Sequence, residues 1–326
     1  MLKGVAILMM VFLHLFNHAD LTSSLKDLVY IQGRPLVFLL STGCTPVAFF
    51  LILSGYGQSY VYQNGGMSLG SQIRRLLRLY IHYWVILFVF VSIGHFVRPE
   101  SYPGSWGKII GNFSSYLSSY NYETWFLLPY ALISLSAGIY FRVMAKTGRV
   151  WFALCSFMAY LAASYAISRY IAPAKAYESI WSLLCSYLSM LFSFTLGVLL
   201  HQHGKRTTQM LSGCRKSVAL IGIILLFSAK CFIHTDALNP LYALVFILLF
   251  LQIPVKGHLR DFLLKMGQYS MPVWMIHSYF CYYLFQSFTY SLRYPFLIFI
   301  FVMGMSCLCA IPIMRISQWI IRRLSL

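Results

Sequence analysis

Residues 3–16 read KGVAILMMVFLHLF, an apolar run that begins with a lysine and contains one histidine, His14, near its far end. With the residues that flank it, the run is long and apolar enough to enter a lipid bilayer as a helix. A polar side chain at that depth is costly, so it either bonds a neighbouring helix or serves a function. The run therefore indicates a membrane helix and makes His14 a candidate functional residue.

The composition of the whole chain agrees with a membrane protein. Of its 326 residues, 60% are hydrophobic and only 10% are charged, which excludes an ordinary soluble domain. The net charge is +18, from 25 Lys and Arg against 7 Asp and Glu. The basic residues lie in short connections between apolar runs and form no continuous patch, so they indicate membrane topology and no nucleic-acid binding.

Apolar runs long enough to cross a bilayer recur along the chain. We predict an all-α, polytopic bundle of about ten transmembrane helices, at roughly 2–18, 35–57, 76–97, 124–144, 150–168, 180–201, 217–234, 238–254, 268–288 and 294–315. The first run lacks a small-x-small cleavage site, so we expect a permanent helix there and no signal peptide.

The distribution of charge sets the expected orientation. Sixteen Lys and Arg follow the even-numbered spans, eight follow the odd-numbered ones, and six of the seven acidic residues lie with the eight. Positive charge collects on the cytoplasmic side of membrane proteins. We therefore predict cytoplasmic N- and C-termini, with these side chains inside: Arg74, Arg75, Arg78, Arg142, Lys146, Arg149, Lys205, Arg206, Arg215, Lys216, Lys256, Arg260, Lys265, Arg315, Arg322 and Arg323.

We expect residues 1–326 to form a single transmembrane domain, with no fused extracytoplasmic or soluble domain. The longest connection, about 99–123, is rich in Ser, Tyr and Gly and falls on the outer side, where a loop of this kind more often shapes a site than folds separately. No His or Cys group has convincing zinc-site spacing, so no metal is expected.

Lys3 and His14 share one face of the first helix. They are eleven residues apart, which brings them back to nearly the same face about 16 Å along the axis. One interpretation is a snorkelling lysine and a histidine that bonds a neighbouring helix. The other is a functional imidazole deep in the membrane.

Five segments, in order, resemble the membrane acyltransferase-3 family. LKGVAILMMVFLH is similar to its first-helix signature, in which Arg or Lys precedes His by eleven positions. Lys3 stands where Arg is commoner, and His82 replaces a frequent Pro. The other segments are FFLILSGYG (Phe49–Gly57), RRLLRLYIHYW (Arg74–Trp84), TWFLLPY (Thr124–Tyr130) and MGQYSMPVWMIH (Met266–His277).

The resemblance implies an enzyme of the bacterial cytoplasmic membrane. It would move an acyl group, commonly acetyl, from cytoplasmic acyl-CoA to a hydroxyl of a cell-surface polysaccharide or other envelope molecule. His14 is the candidate catalytic residue, because a neutral imidazole can accept the hydroxyl proton. The alternative is that His14 carries the acyl group itself.

The resemblance also assigns binding roles. Arg75 and Arg78, at i and i+3, and Lys3 are candidates for holding the phosphates of the donor. The null alternative for the two arginines is a purely topological role. From their positions in the chain, candidates for substrate contact are Ser54, Glu123, Trp125 and His277. The alternatives are an interface anchor for Trp125, a packed and hydrogen-bonded histidine for His277, and a bond to its own helix for Ser54.

Two other functions fit the same pattern of helices. A transporter of a small solute or polysaccharide intermediate also has buried polar groups among about ten helices. A catalytically silent partner in glycan assembly is the third interpretation, and it would be favoured if His14 proved replaceable.

Overall fold

The protein is helical throughout its computed structural model, which describes residues 1–326 except 24, 32, 212–214 and 234. The side chains of residues 205–211 are not described either. The predicted inner charges Lys205 and Arg206 therefore lie outside the described side chains.

Within this part of the chain, long helices are joined by loops and, in places, by short helices. In chain order the α-helices are α1 (Leu2–Phe16), α2 (Ala19–Thr22), α3 (Leu36–Thr42), α4 (Pro46–Gln63), α5 (Leu69–Val97), α6 (Trp106–Phe113), α7 (Leu127–Thr147), α8 (Arg149–Ala166), α9 (Ile180–Leu211), α10 (Lys216–Phe232), α11 (Asn239–Phe250), α12 (Gly257–Ser278), α13 (Gln286–Ser291) and α14 (Pro295–Arg323). A 3-10 helix, Tyr122–Phe126, leads into α7, and a π-helix, Tyr279–Tyr283, follows α12. The strands β1 (Tyr30–Ile31) and β2 (Arg34–Pro35) form one small antiparallel pair in the first connection.

Each of the ten predicted spans overlaps a helix or two consecutive ones. By length and hydropathy, six segments of the described chain can cross a membrane: Leu36–Gln63, Leu69–Val97, Tyr122–Thr147, Arg149–Ile171, Ile180–Gly204 and Pro295–Arg323. Leu2–Phe16 and Asp236–Phe250 are apolar but shorter. The chain is thus an all-α helical membrane protein, while the total of ten spans and the side of the termini stay predictions.

Helix α5 begins seven residues before the predicted third span. Ser68 and Ser71 form a capping box, in which each side-chain oxygen accepts a hydrogen bond from the other's backbone N–H. Arg75 and Arg78 consequently lie inside the helix. At His82, where the resembling family often has Pro, the ring nitrogen Nδ1 lies 2.7 Å from the Arg78 carbonyl oxygen, and the helix continues.

Helices α1 and α12 pack side by side in parallel. Near their starts, a Cβ added to Gly4 would lie 2.1 Å from the Leu263 carbonyl oxygen, so only glycine allows the approach. Near their ends, the rings of His14 and His277 stack with centroids 5.0 Å apart. Two histidines 263 residues apart in the chain thereby become neighbours.

Helices α4 and α9 form a second parallel pair, since Val47 packs in one cluster with Met190 and, farther along both helices, His201 Nδ1 lies 3.0 Å from Ser59 Oγ. A Cβ on Gly55 would lie 2.0 Å from the Phe194 carbonyl oxygen, and one on Gly197 would lie 1.9 Å from the Ile52 carbonyl oxygen. The two backbones touch at this crossing, which holds α4 in place beside α1.

Candidate active site

One cavity of about 410 Å³ lies between α1, α4, α5, α7 and α12. It extends about 16 Å along α1, since Lys3 and His14 both line it. Of the eight residues that the sequence singled out, six line this cavity: Lys3, His14, Ser54, Arg75, Glu123 and Trp125. The other two, His277 and Arg78, are not among the lining residues.

His277 lies behind His14 and fixes its ring. His277 is fully buried, and its Nδ1 faces the carbonyl oxygens of Val273 and Trp274 at 3.0 and 2.8 Å. Carbonyl oxygens only accept hydrogen bonds, so Nδ1 carries the proton and Nε2 of the neutral ring is an acceptor. His14 Nδ1, 2.8 Å from that Nε2, must then be the donor. The remaining nitrogen of His14, Nε2, is left with its lone pair available.

Glu123 meets that nitrogen. Its Oε2 lies 3.2 Å from His14 Nε2, and both side chains are mostly buried, at 13% and 14% exposed. With His14 Nδ1 already donating to His277, His14 Nε2 and the carboxyl group can share one further proton. The pair can therefore take up a proton at a defined point of the cavity.

The 3-10 helix that carries Glu123 is fastened to α12. Asn121, at its N-cap, accepts a hydrogen bond from the Glu123 backbone N–H and one from the Ser278 hydroxyl, and it donates to the Met275 carbonyl oxygen. The indole N–H of Trp274 donates to the Glu123 carbonyl oxygen at 2.9 Å. These bonds hold the carboxyl group in register with the two histidines.

The end of α1 is held in the same way. The hydroxyls of Tyr282 and Tyr290 donate to the carbonyl oxygens of His14 and Leu15, which have no partner within the helix. The backbone that positions the His14 ring is thus tied to the segment after α12.

Arg75 reaches into the cavity from α5. Its Nη2 donates to the Tyr130 and Ser134 hydroxyls, each at 3.0 Å, and Ser54 donates to Tyr130 at 3.2 Å. Among the described residues no carboxylate forms an ion pair with Arg75. Arg78, predicted to share a face with Arg75, is exposed and does not line the cavity. A cation paired only with hydroxyls suits an anionic ligand.

Trp125 lines both the cavity and a neighbouring groove. It lines the cavity together with Glu123, and it also lines a groove of about 620 Å³ that is rich in Ser and Tyr side chains. That groove includes residues of the long connection before α7 and of the segment before α9. Trp125 thus joins the His14 end of the cavity to these connections.

Sequence analysis missed several lining or supporting residues. Tyr130, Gln58 and Trp274 line the cavity, and Asn121 supports it from behind. The quoted segments contain Tyr130 and Trp274, but nothing distinguished them from ordinary apolar positions. Asn121 carried no signal, because its role depends on contacts with α12. Among the described residues, no three His, Cys, Asp or Glu side chains group as a metal site would require.

These features define a helical membrane protein whose bundle encloses a cavity with a histidine–carboxyl pair at one end and cations toward the other. The chain belongs to the acyltransferase-3 family, since the family's model, described as an acyltransferase domain, matches residues 1–315. It is therefore an acyltransferase that transfers groups other than aminoacyl groups. No curated protein and no solved structure matches the chain significantly.

Proposed function

We propose that the protein is a single-domain O-acyltransferase of the bacterial cytoplasmic membrane. It takes an acyl group, commonly acetyl, from cytoplasmic acyl-CoA and gives it to a hydroxyl of a cell-surface polysaccharide or another envelope molecule. The observation that carries the proposal is the His14–Glu123 pair, 3.2 Å apart, in the same cavity as Lys3 and Arg75.

The acceptor hydroxyl is activated at His14. A sugar hydroxyl is a weak nucleophile, and the lone pair on His14 Nε2 accepts its proton as the oxygen attacks the thioester carbonyl carbon. The new C–O bond forms, the C–S bond breaks, and the thiolate of coenzyme A leaves and takes up the proton. Glu123 stabilises the transient imidazolium, while His277 keeps the ring in the productive tautomer.

The donor lies along the cavity. Arg75 and Lys3 are the cations that line it, and they hold the phosphates toward the cytoplasmic mouth. The thioester then points toward His14. Ser54 of α4 contacts the part of the donor that lies between its phosphates and its thioester.

The acceptor reaches His14 from the opposite end. Trp125 lines both the cavity and the Ser- and Tyr-rich groove, so a carbohydrate in the groove stacks on its indole and places a hydroxyl beside Glu123. The donor thus reaches the His14 imidazole from the cytoplasmic side and the acceptor reaches it from the outer side.

The test is replacement of His14 by alanine in cells. We expect His14→Ala to insert normally, to retain binding of coenzyme A, and to lose acetylation of envelope glycans by about a hundredfold or more per folded molecule. Mass spectrometry of the glycans measures the loss. The matched control is His95→Ala, which removes an exposed histidine at the far end of α5.

The outcomes separate the alternatives. Near-normal acetylation by His14→Ala excludes both catalytic roles and favours the transporter. An acyl group trapped on His14 of the wild type, incubated with donor alone, shows that the imidazole carries the acyl group and is more than a base.

A further inference from the structure

Gln58 of α4 is an unexplained polar residue of the cavity. Its side chain is fully buried, and it lines the cavity together with Lys3 and Arg75. Neither its amide nitrogen nor its amide oxygen has a hydrogen-bond partner in the described part of the protein. A buried amide without partners is rare, because both groups have lost their bonds to water. Such a group is suited to a ligand that supplies both partners.

The position of Gln58 along the cavity follows from α4. Pro46, which lines the cavity with Leu13 and His14, lies twelve residues before Gln58, or about 18 Å along the helix axis. Side chains on a helix tilt toward its N-terminus, so the amide of Gln58 reaches several ångströms back toward His14. Lys3 lies near the N-terminus of α1, so for the same reason its side chain tilts away from His14, toward the opposite end of the cavity.

The proposed donor has a matching group at this distance. Between its phosphates and its sulfur runs an arm of twelve bonds, about 14 Å when extended by comparison with a peptide chain. The pantoyl part of this arm, close to the phosphates, carries a hydroxyl on the carbon next to an amide carbonyl. These two groups complement a primary amide, whose oxygen accepts from the hydroxyl while its nitrogen donates to the carbonyl.

We propose that Gln58 binds the pantoyl hydroxyl and the adjoining amide carbonyl of the donor's arm, and so sets how far the thioester enters the cavity. With the amide held there and the phosphates at Lys3 and Arg75, the sulfur lies at the His14 end. This assignment rests on the proposed function, because it requires a donor that carries the pantetheine arm.

The test compares two probes that differ only in their phosphates and nucleotide. Binding of coenzyme A and of pantetheine is measured by calorimetry on the purified protein in detergent, for wild type and for Gln58→Leu. We expect Gln58→Leu to weaken both probes by about the same factor, roughly tenfold. Arg75→Ala should weaken coenzyme A alone, since pantetheine has no phosphate. Gln252→Leu, which changes a half-buried glutamine in the turn after α11, should weaken neither.

Thermal unfolding without a probe supplies a second readout. Because the amide of Gln58 has no hydrogen-bond partner among the described residues, Gln58→Leu should unfold at the wild-type temperature or above it. A lower temperature would show a structural role and overturn the proposal. Gln58→Met, which keeps the length of the side chain, replaces the leucine variant if that variant fails to fold.

Failure of the inference differs from failure of the proposed function. If the wild type binds coenzyme A and both Gln58 variants bind both probes normally, only the role of Gln58 is overturned. Weakened binding of coenzyme A with normal binding of pantetheine also overturns it, since Gln58 would then serve the phosphates. If the wild type binds neither probe, the donor itself is wrong, and the assignment of Gln58 falls with it.

Discussion

At the scale of single residues, the chemistry of the cavity depends on which nitrogen of His14 carries a proton. His277 decides this from a distance of 2.8 Å, because its own Nδ1 faces two carbonyl oxygens and only its Nε2 can accept. His277, His14 and Glu123 thus form a chain of three side chains that can each bind a proton, with His14 in the middle. This order makes His14 Nε2, which faces Glu123, the nitrogen that can take a proton from a hydroxyl in the cavity.

The two arginines of α5 provide the next test at this scale. Arg75→Ala should raise the KM for acyl-CoA by roughly ten- to hundredfold, since losing a charge-assisted bond to a phosphate costs about 1.5–3 kcal/mol. Arg75→Lys should rescue only part of this loss, because lysine offers a point charge and no fork. Steady-state kinetics with purified protein measures the change.

Arg78→Ala is the matched control. Arg78 is exposed and does not line the cavity, so we expect its removal to change KM by less than threefold. Equal losses in the two variants would support the prediction from the sequence that Arg75 and Arg78 hold the donor as a pair. Unchanged kinetics in both would make them topological anchors.

At the scale of helices, the cavity depends on two close crossings. Gly4 lets α1 touch α12, and Gly55 with Gly197 lets α4 touch α9. In a membrane, such contacts between small residues supply much of the association energy, since lipid competes with every larger apolar side chain. The walls of the cavity are therefore set by glycines that do not line its catalytic end.

Gly197→Ala tests this view of the helices. The added Cβ would lie 1.9 Å from the Ile52 carbonyl oxygen, so the helices must separate, at a cost of about 1–3 kcal/mol. We expect a lower temperature of unfolding in detergent. Gly138→Ala on α7 is the control, because a Cβ there meets nothing within 4 Å and should stabilise the helix by about 0.5–1 kcal/mol. If both variants unfold at the wild-type temperature, the crossing is not tight.

At the scale of the whole molecule, the directions of the helices fit the predicted alternation across the membrane. The first and ninth predicted spans pack in parallel, as do the second and sixth. Helices α5 and α7 run antiparallel, since Ser134 donates to Gln72, while Tyr130, one turn earlier in α7, accepts from Arg75, one turn later in α5. Parallel pairs are separated by an odd number of spans in the chain and the antiparallel pair by none, as ten crossings require.

Labelling of single cysteines in a background without native cysteine tests the orientation. We expect a cysteine at Lys146, in the last turn of α7, to react only with reagent that has crossed the membrane. A cysteine at Glu100, after α5, should react from outside. Both residues are exposed, so access depends on the side alone. Outside labelling at position 146 would refute cytoplasmic termini.

The sequence by itself determined the helices and named the charged residues and the histidine among the described residues that line the cavity. An apolar run long enough to cross a bilayer forms a helix, because every backbone N–H and C=O group in lipid must be hydrogen-bonded within the segment. The segments that resemble the family contain His14, Lys3, Arg75, Ser54 and Trp125, and the position of Glu123 beside the long connection singled it out; all six line one cavity.

Only the tertiary structure decided how these residues act on one another. Glu123 was expected to touch substrate, yet its carboxyl group lies 3.2 Å from His14 Nε2, and Asn121 and Gln58 carried no sequence signal at all. Whether Arg75 or Arg78 faces the cavity depends on how α5 is rotated against α7, which the i, i+3 spacing leaves open. The physical reason is that a helix forms through hydrogen bonds between residues close in the chain, which the sequence pattern reveals. The side that one helix turns toward another depends on packing between residues far apart in the chain.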